Sequence, residues 1–248
     1  MRQKPLISIV LTYYKKRKYV WRTLQSVLLQ NYKNFELIFV YDDSDFEDYK
    51  YIRKILIKFK KKKILFNKKN LGVSQSRNKA LKICKGKYIA FIDADDIWIK
   101  SKLSKQQKIM QKNLLNFSFT SYNVINNNNK LINKRFVNKD ASYASLQKKN
   151  IIGLSTVMFN RKILKDVKFP NLKTQEDFAV WLKLLKKGYK LTHMKENLSS
   201  WRKIKNSLSS NSIQKIGDAF KMFYRIENKN LTLSIYSVLV LAYNKLKK

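Results

Sequence analysis

Apolar residues along the chain fall into short runs separated by helical repeats. Residues 6–11 form a continuous apolar run suited to a buried strand, after which Val20, Leu24, Val27 and Leu28 recur at helical spacing. A second strand, residues 36–41, ends in acids. A third, residues 64–66, is followed by Asn70-Leu71-Gly72 and a helix over residues 74–84, and a fourth covers residues 87–92. Strands alternating with helices predict parallel βαβ units and an α/β fold, in which ligands bind beyond the carboxyl ends of the strands. Thr12, Asp42, Asp43 and residues 93–96 all fall there.

Beyond a polar helix over residues 100–112, residues 117–125 and 131–137 flank four asparagines and predict a hairpin with an exposed loop. Residues 155–160 read as a further strand. Phe178, Trp181, Leu182 and Leu185 give an amphipathic helix whose first turn carries Glu176 and Asp177. Ile213, Ile216, Phe220 and Phe223 mark another, and residues 231–243 are strongly apolar but too few to cross a bilayer. A helix packed on the domain is the favoured fate of that last segment. Lys245, Lys247 and Lys248 beside it also suit an anionic membrane surface.

The 248 residues are 44% hydrophobic and 13% aromatic, enough for one substantial core or a main domain with an appendage. A lone Cys84 excludes a disulfide framework or a cysteine zinc site built from this chain alone and suits a reducing cytoplasm. The basic start leads into an apolar run that is short and lacks a small-residue cleavage site, so it reads as a first strand, not a signal peptide. A net charge of +38 attracts nucleic acid, anionic lipid and phosphorylated substrates alike, although lysine and asparagine are frequent throughout.

Against that background the acids are informative. Ten of sixteen lie in three clusters: Asp42, Asp43, Asp45, Glu47 and Asp48; Asp93, Asp95 and Asp96; Glu176 and Asp177. Carboxylates so close raise one another's pKa unless a cation compensates, and Asp93-x-Asp95 suits a hard divalent ion that shares its shell with substrate phosphates. For a lone Asp-x-Asp a helix cap comes ahead of a metal, and the other acids change that weighting. For Glu176 and Asp177, too, the positive end of a helix and a catalytic role both fit.

Five stretches in order, Ile7-Ser-Ile-Val-Leu-Thr12-Tyr13, residues 26–37, Asp42-Asp43-Ser44, Asn70-Leu-Gly72 with Arg77-Asn78, and Asp93-Ala-Asp95-Asp96, together resemble family 2 glycosyltransferases. With Glu176-Asp177 and Trp201-Arg202 the resemblance covers about residues 5–210. It implies a GT-A fold, a Rossmann-like, mostly parallel sheet flanked by helices over residues 1–210, with a helical extension at 211–248. It also implies inverting transfer of a sugar from a nucleotide diphosphate, UDP-linked by expectation, to a hydroxyl of a glycan or lipid-linked acceptor in surface polysaccharide or lipooligosaccharide synthesis.

By resemblance, Thr12 and Asp43, with Asp42 adjacent, hold the nucleotide; Arg77 contacts base or phosphate; Asp95 contacts Mn²⁺ or Mg²⁺, and Asp93 contacts metal or ribose, with Asp96 behind them. Arg202 is the candidate diphosphate ligand. Asp177 is the implied general base and Glu176 its alternate. The expected setting is the cytoplasm, peripheral at the inner membrane face.

Departures are Tyr14 for a common asparagine, Leu11 for a proline, and Ile204 where relatives carry histidine; His193, the only histidine, reads as structural. The rival readings are a basic nucleic-acid-binding protein, which leaves the acid clusters unexplained, and an inactive relative. No specific nucleic-acid partner is expected.

Overall fold

A computed structural model describes residues 4–204 and 211–246. Lys247 and Lys248 lie outside that range. The first half alternates as read: β1 (Ile7–Tyr13), α1 (Arg17–Leu28), β2 (Phe35–Tyr41), α2 (Glu47–Leu56), β3 (Lys62–Phe66), α3 (Val73–Ile83) and β4 (Tyr88–Asp93). Then follow β5 (Ile97–Trp98), α4 (Lys102–Lys112), β6 (Phe117–Ile125), β7 (Leu131–Arg135), α5 (Tyr143–Lys148), β8 (Met158–Asn160), α6 (Glu176–Lys186), β9 (Thr192–Arg202), α7 (Ser212–Lys221) and α8 (Leu231–Leu246).

The strands form one sheet in the order β3-β2-β1-β4-β8-β6-β9-β5, with β7 on β6. It is parallel through β3, β2, β1 and β4, and again between β6 and β9, whereas β8 runs antiparallel to both β4 and β6, and β5 to β9. The expectation of a mostly parallel sheet thus describes the first half. The second half is mixed: β6 and β7 form a hairpin, and β8 and β5 pair antiparallel with strands distant in sequence.

Both faces of the parallel half are covered, which explains strands without polar alternation. In β1, Ile7, Ile9, Leu11 and Tyr13 join Val20 and Leu24 of α1 and Ile52 of α2 on one face, while Val10 joins Ala80 of α3 and Phe91 of β4 on the other. Each fully buried aliphatic or aromatic side chain contributes about 1.5–3 kcal/mol by leaving water. Parallel register sets Thr12 of β1 beside Asp93 of β4 and Val40 of β2, so the three strand ends rise at one edge.

Three local expectations change. Residues 155–160 divide into a 3₁₀ turn, Leu154–Thr156, and the short β8, because Thr156 Oγ1 donates to Gly153 O at 2.6 Å and closes the turn. The asparagine loop is pinned by Arg202, whose Nη1 donates to Asn126 O at 2.8 Å and Nη2 to Asn129 Oδ1 at 2.7 Å, so it is only partly exposed. In α7 the inward residues are Asp218 and Ala219, followed by Met222 and Phe223 of a π-helical turn, Met222–Ile226, whereas Ile213 and Ile216 face outward.

The C-terminal helices rest on α5 and α6. Met222 and Phe223 enter the core beside Phe178 and Trp181, and Glu227 pairs with Lys186 at 2.8 Å and accepts from Tyr143 Oη. No helix among the described residues is long and apolar enough to cross a membrane.

Candidate active site

The strand ends of β1, β2 and β4, together with the start of α6, gather the acids. Asp93 closes β4, and the chain turns at once, with Asp96 N donating to Asp93 O at 3.0 Å. That turn separates the three carboxylates. Asp96 points inward, where its Oδ2 accepts from Ser155 Oγ at 2.6 Å and its Oδ1 from Arg202 N at 2.9 Å; burial, reinforced by Asp95 and Asp93, pushes its pKa well up. Asp93 and Asp95 remain toward the open edge, their side chains 34% and 16% exposed.

Asp95 already holds a cation. After β1 the chain passes through Lys15 at φ 48, and Lys16 Nζ then lies 2.8 Å from Asp95 Oδ2. Burial raises the Asp95 pKa, and Lys16 opposes that shift. Nothing in the residue type or spacing of Lys15-Lys16-Arg17-Lys18 distinguishes Lys16 from surface charge, which is why the sequence does not single it out. Ser155 is equally silent, yet it accepts from Asp93 N at 3.1 Å and donates to Asp96, fixing the turn.

The third cluster joins the second through one guanidinium. Arg77, buried on α3, donates from Nη1 to Glu176 Oε1 at 2.5 Å and from Nη2 to Asp93 Oδ1 at 2.7 Å. Its charge is sustained there: burial disfavours it, but Asp93, Glu176 and Asp177 outweigh burial. Desolvation raises the Glu176 carboxyl while Arg77 restrains it. Asp177 makes no comparable ion pair with Arg77, and its Oδ1 accepts only at 2.7 Å from the adjacent Phe178 N. Desolvation and the neighbouring Glu176 push it up to about 7, the range a general base needs. The residue before the pair, Gln175, is left-handed at φ 65, and Thr174 is held by Asp218 Oδ2, which accepts from its N at 2.9 Å and its Oγ1 at 3.0 Å. Such a strained residue beside a perturbed acid is common at functional sites.

In the first cluster the acids divide their work. Asp42 Oδ1 accepts from Asn67 Nδ2 and Leu71 N, both at 2.8 Å, so it shapes the loop after β3. Asp48 accepts from Tyr13 Oη and pairs with Arg17 at 3.4 Å, and Asp45 accepts from Glu47 N at 2.9 Å at the start of α2. Asp43 accepts from Asp45 N at 3.3 Å, a lighter engagement than that of Asp42, and it sits beyond β2 beside the end of β1 where Thr12 lies.

Arg202 works on the protein itself in this structure. It is 2% exposed, its Nε donates to Asp95 O at 2.8 Å, its Nη atoms reach the asparagine loop, and its guanidinium lies 4.9 Å from the Tyr19 ring. It braces the Asp95 turn from behind. His193 lies at the far end of β9, its Nε2 3.2 Å from Ser121 Oγ and its ring against Phe119, as a structural residue would.

Among the described residues, no three His, Cys, Asp or Glu side chains converge as a closed metal cage. Asp93, 34% exposed with one oxygen on Arg77, and Asp95, 16% exposed and paired with Lys16, fit a cation that takes its remaining oxygens from a diphosphate.

Comparison with known proteins identifies the family. The model of "Glycosyl transferase family 2" matches residues 8–168, well over half of the chain. The chain belongs to that family. At 34% identity, over 99% of this chain and 98% of the relative, it is similar to "Putative teichuronic acid biosynthesis glycosyltransferase TuaG" of Bacillus subtilis (strain 168). It is also 34% identical, over 85% of the chain and 82% of the relative, to "UDP-Glc:alpha-D-GlcNAc-diphosphoundecaprenol beta-1,3-glucosyltransferase WfaP" of Escherichia coli.

The fold matches that of S. aureus TarS in complex with UDP-GlcNAc at a TM-score of 0.73 and 20% identity, over 96% of this chain and 70% of that one. It matches the mannosyltransferase PcManGT of Pyrobaculum calidifontis, in complex with GDP-Man and Mn²⁺, at 0.71 and 13% identity, over 100% and 77%. The protein is therefore a family 2 glycosyltransferase of GT-A fold, with relatives in cell-surface polysaccharide and lipid-linked glycan synthesis. The family match ends before Glu176, so the roles of α6 rest on geometry.

Proposed function

We propose that this glycosyltransferase moves a sugar, with inversion, from a UDP-sugar to a hydroxyl of a lipid-linked glycan acceptor. The observation that carries this reading is the Arg77 bridge, which ties the Asp93 strand end to the Glu176-Asp177 pair so that a donor site and a base share one open edge. The WfaP relative, whose name specifies UDP-Glc and a diphosphoundecaprenol-linked sugar, supports the donor and acceptor classes.

Thr12 and Asp43 receive the nucleoside at the ends of β1 and β2. Asp95 and Asp93 would hold a Mn²⁺ or Mg²⁺ ion, which when bound would neutralise charge on the departing diphosphate. Lys16, paired with Asp95 here, would add a charge-assisted donor to the same diphosphate. Asp177 takes the proton from the acceptor hydroxyl as its oxygen attacks the anomeric carbon from the face opposite the diphosphate. Arg77 is a positioning residue: it aligns Glu176 and favours its charged form against burial, and Glu176 in turn raises the Asp177 pKa.

A panel of nucleotide sugars assayed with Mn²⁺, with and without undecaprenyl-diphosphate-linked GlcNAc, tests the reading. Metal-dependent UDP-sugar binding and acceptor-dependent UDP release are expected. Binding of no nucleotide diphosphate under any metal condition would overturn it.

A further inference from the structure

The C-terminal helices carry apolar side chains on their outer as well as their inner sides. On α8 the side turned to the protein carries Val238 and Leu241, packed on the core, with Ser234 and Ser237, 0% and 7% exposed, whose hydroxyls donate to the helix's own carbonyls at Asn230 and Leu233. The opposite side carries Ile235, Tyr236, Leu239 and Tyr243, between 46% and 65% exposed. An ordinary surface helix is polar on that outer side.

The neighbouring α7 repeats the pattern. Ile213, Ile216, Phe220 and Tyr224 follow at intervals of three or four residues, with Ile213 85% exposed and Phe220 stacked on Tyr224 at 5.5 Å. The two helices touch, and the start of α7 lies near the end of α8, since Lys245, after burial, is what lowers the Lys215 pKa. Exposed Lys221, Arg225 and Lys245 border the apolar stripes. Scattered exposed apolar residues need no explanation, but two adjoining stripes with a basic border do.

We propose that the outer face of α7 and α8 docks this enzyme on an anionic lipid surface, its apolar side chains entering the headgroup boundary and its lysines meeting lipid phosphates. Charge decides between this partner and a second copy of the chain. Two copies would bring together like-charged borders on molecules of net charge +38, whereas an anionic bilayer supplies the opposite charge and an apolar layer at once. Docking reaches the catalytic centre through one residue: Asp218 of α7 holds Thr174, which leads through Gln175 into the Glu176-Asp177 pair.

The inference stands apart from the donor and acceptor reading, because vesicle binding requires no nucleotide sugar. Flotation of the full chain with phosphatidylcholine vesicles containing roughly 30% phosphatidylglycerol should recover it with the lipid, less so with phosphatidylcholine alone or at high salt. Ile235→Glu with Leu239→Glu should lower the partition at least about tenfold, since two buried apolar side chains are exchanged for charges. Ile213→Glu with Ile216→Glu is the independent variant on α7. The same change at Leu131 and Ile132 of β7, exposed apolar residues elsewhere, should leave binding unaltered.

Donor hydrolysis without vesicles, measured on the same preparations, should stay at the wild-type level in all three. Failure of the wild type to float, equal flotation of the α7 and α8 variants, or a wild-type dimer in solution that these variants abolish would each overturn the proposal.

Discussion

At the residue scale Asp177 is the proposed base. Its pKa near 7 comes from desolvation first and Glu176 second, and both favour the protonated form in the fold. A carboxylate base works only when deprotonated, so under the proposed role kcat/KM should rise about tenfold per pH unit below 7 and level off above it. Asp177→Asn should retain donor binding while transfer falls about 10²–10⁴-fold. Stability moves the other way. The folded-state pKa lies above the ordinary value of 3.8, so the contribution of the protonated carboxyl is complete below 3.8 and is lost as pH rises through about 7. The Asn variant should therefore melt higher than wild type above pH 7, by on the order of 1–2 kcal/mol after allowing for partial solvent access, with the gap closing in acid. A gap independent of pH would remove the charge explanation.

Lys16 permits a separate check on Asp95. Its ion pair stands where a divalent cation would compete for the same carboxylate, and partly exposed pairs contribute about 0.2–1 kcal/mol. Lys16→Gln should tighten Mn²⁺ binding without donor by roughly two- to fivefold, read by the paramagnetic resonance of free Mn²⁺. Unchanged affinity would mean that Asp95 does not bind the ion in the free enzyme.

At the scale of elements, the sheet register that aligns Thr12 with Asp93 is locked at its other end by a small polar network. Gly86 N donates at 2.8 Å to Ser8 Oγ, which donates at 2.6 Å to Glu36 on β2; Lys85 N donates to the same Glu36 oxygen at 2.7 Å. A Cβ on Gly86 would lie 2.4 Å from Ser8 N and 2.7 Å from Tyr88 O, both backbone atoms that cannot swing away. Gly86→Ala should cost about 1–3 kcal/mol in urea unfolding, with the m-value unchanged. Glu36 shows what the sequence hides: in the fold this isolated acid is buried and joins β1 and β2 to the loop that leads into β4.

The elements that the sequence shows clearly are those with one dominant cause. Doubly covered parallel strands leave unbroken apolar runs, and β1, β2 and β4 were visible for that reason. Where a segment answers to a distant partner, pattern fails. Residues 154–156 turn where Thr156 closes on Gly153 and Ser155 is taken by Asp93 and Asp96, and Arg202 spends its guanidinium on Asp95 O and on a loop more than seventy residues away. The acid clusters were legible, but their division of labour was not, since it depends on which carboxylate finds a backbone N–H.

At the scale of the whole molecule, residues 211–246 are joined to the catalytic edge by contacts that hydrophobic periodicity cannot reveal. Asp218 is buried on α7, and its Oδ2 accepts three hydrogen bonds: from Thr174 N, from Thr174 Oγ1 and, at 2.9 Å, from Gln214 Nε2. Thr174 is two residues from Glu176, and the chain between them passes through the left-handed Gln175. Charge-assisted bonds of this kind hold a strained turn that an uncharged acceptor would hold less firmly. Asp218→Asn keeps the volume but removes the charge, so the start of α6 should loosen while Thr12, Asp43 and Asp95, on other elements, stay in place. The expected result is a fall in kcat of about ten- to a hundredfold, because small displacements of a reacting group are costly in rate, with donor KM unchanged. The pH profile should still turn near 7, since Glu176 and the burial of Asp177 persist. A loss of donor affinity instead would show that α7 supports the nucleotide edge and not the base.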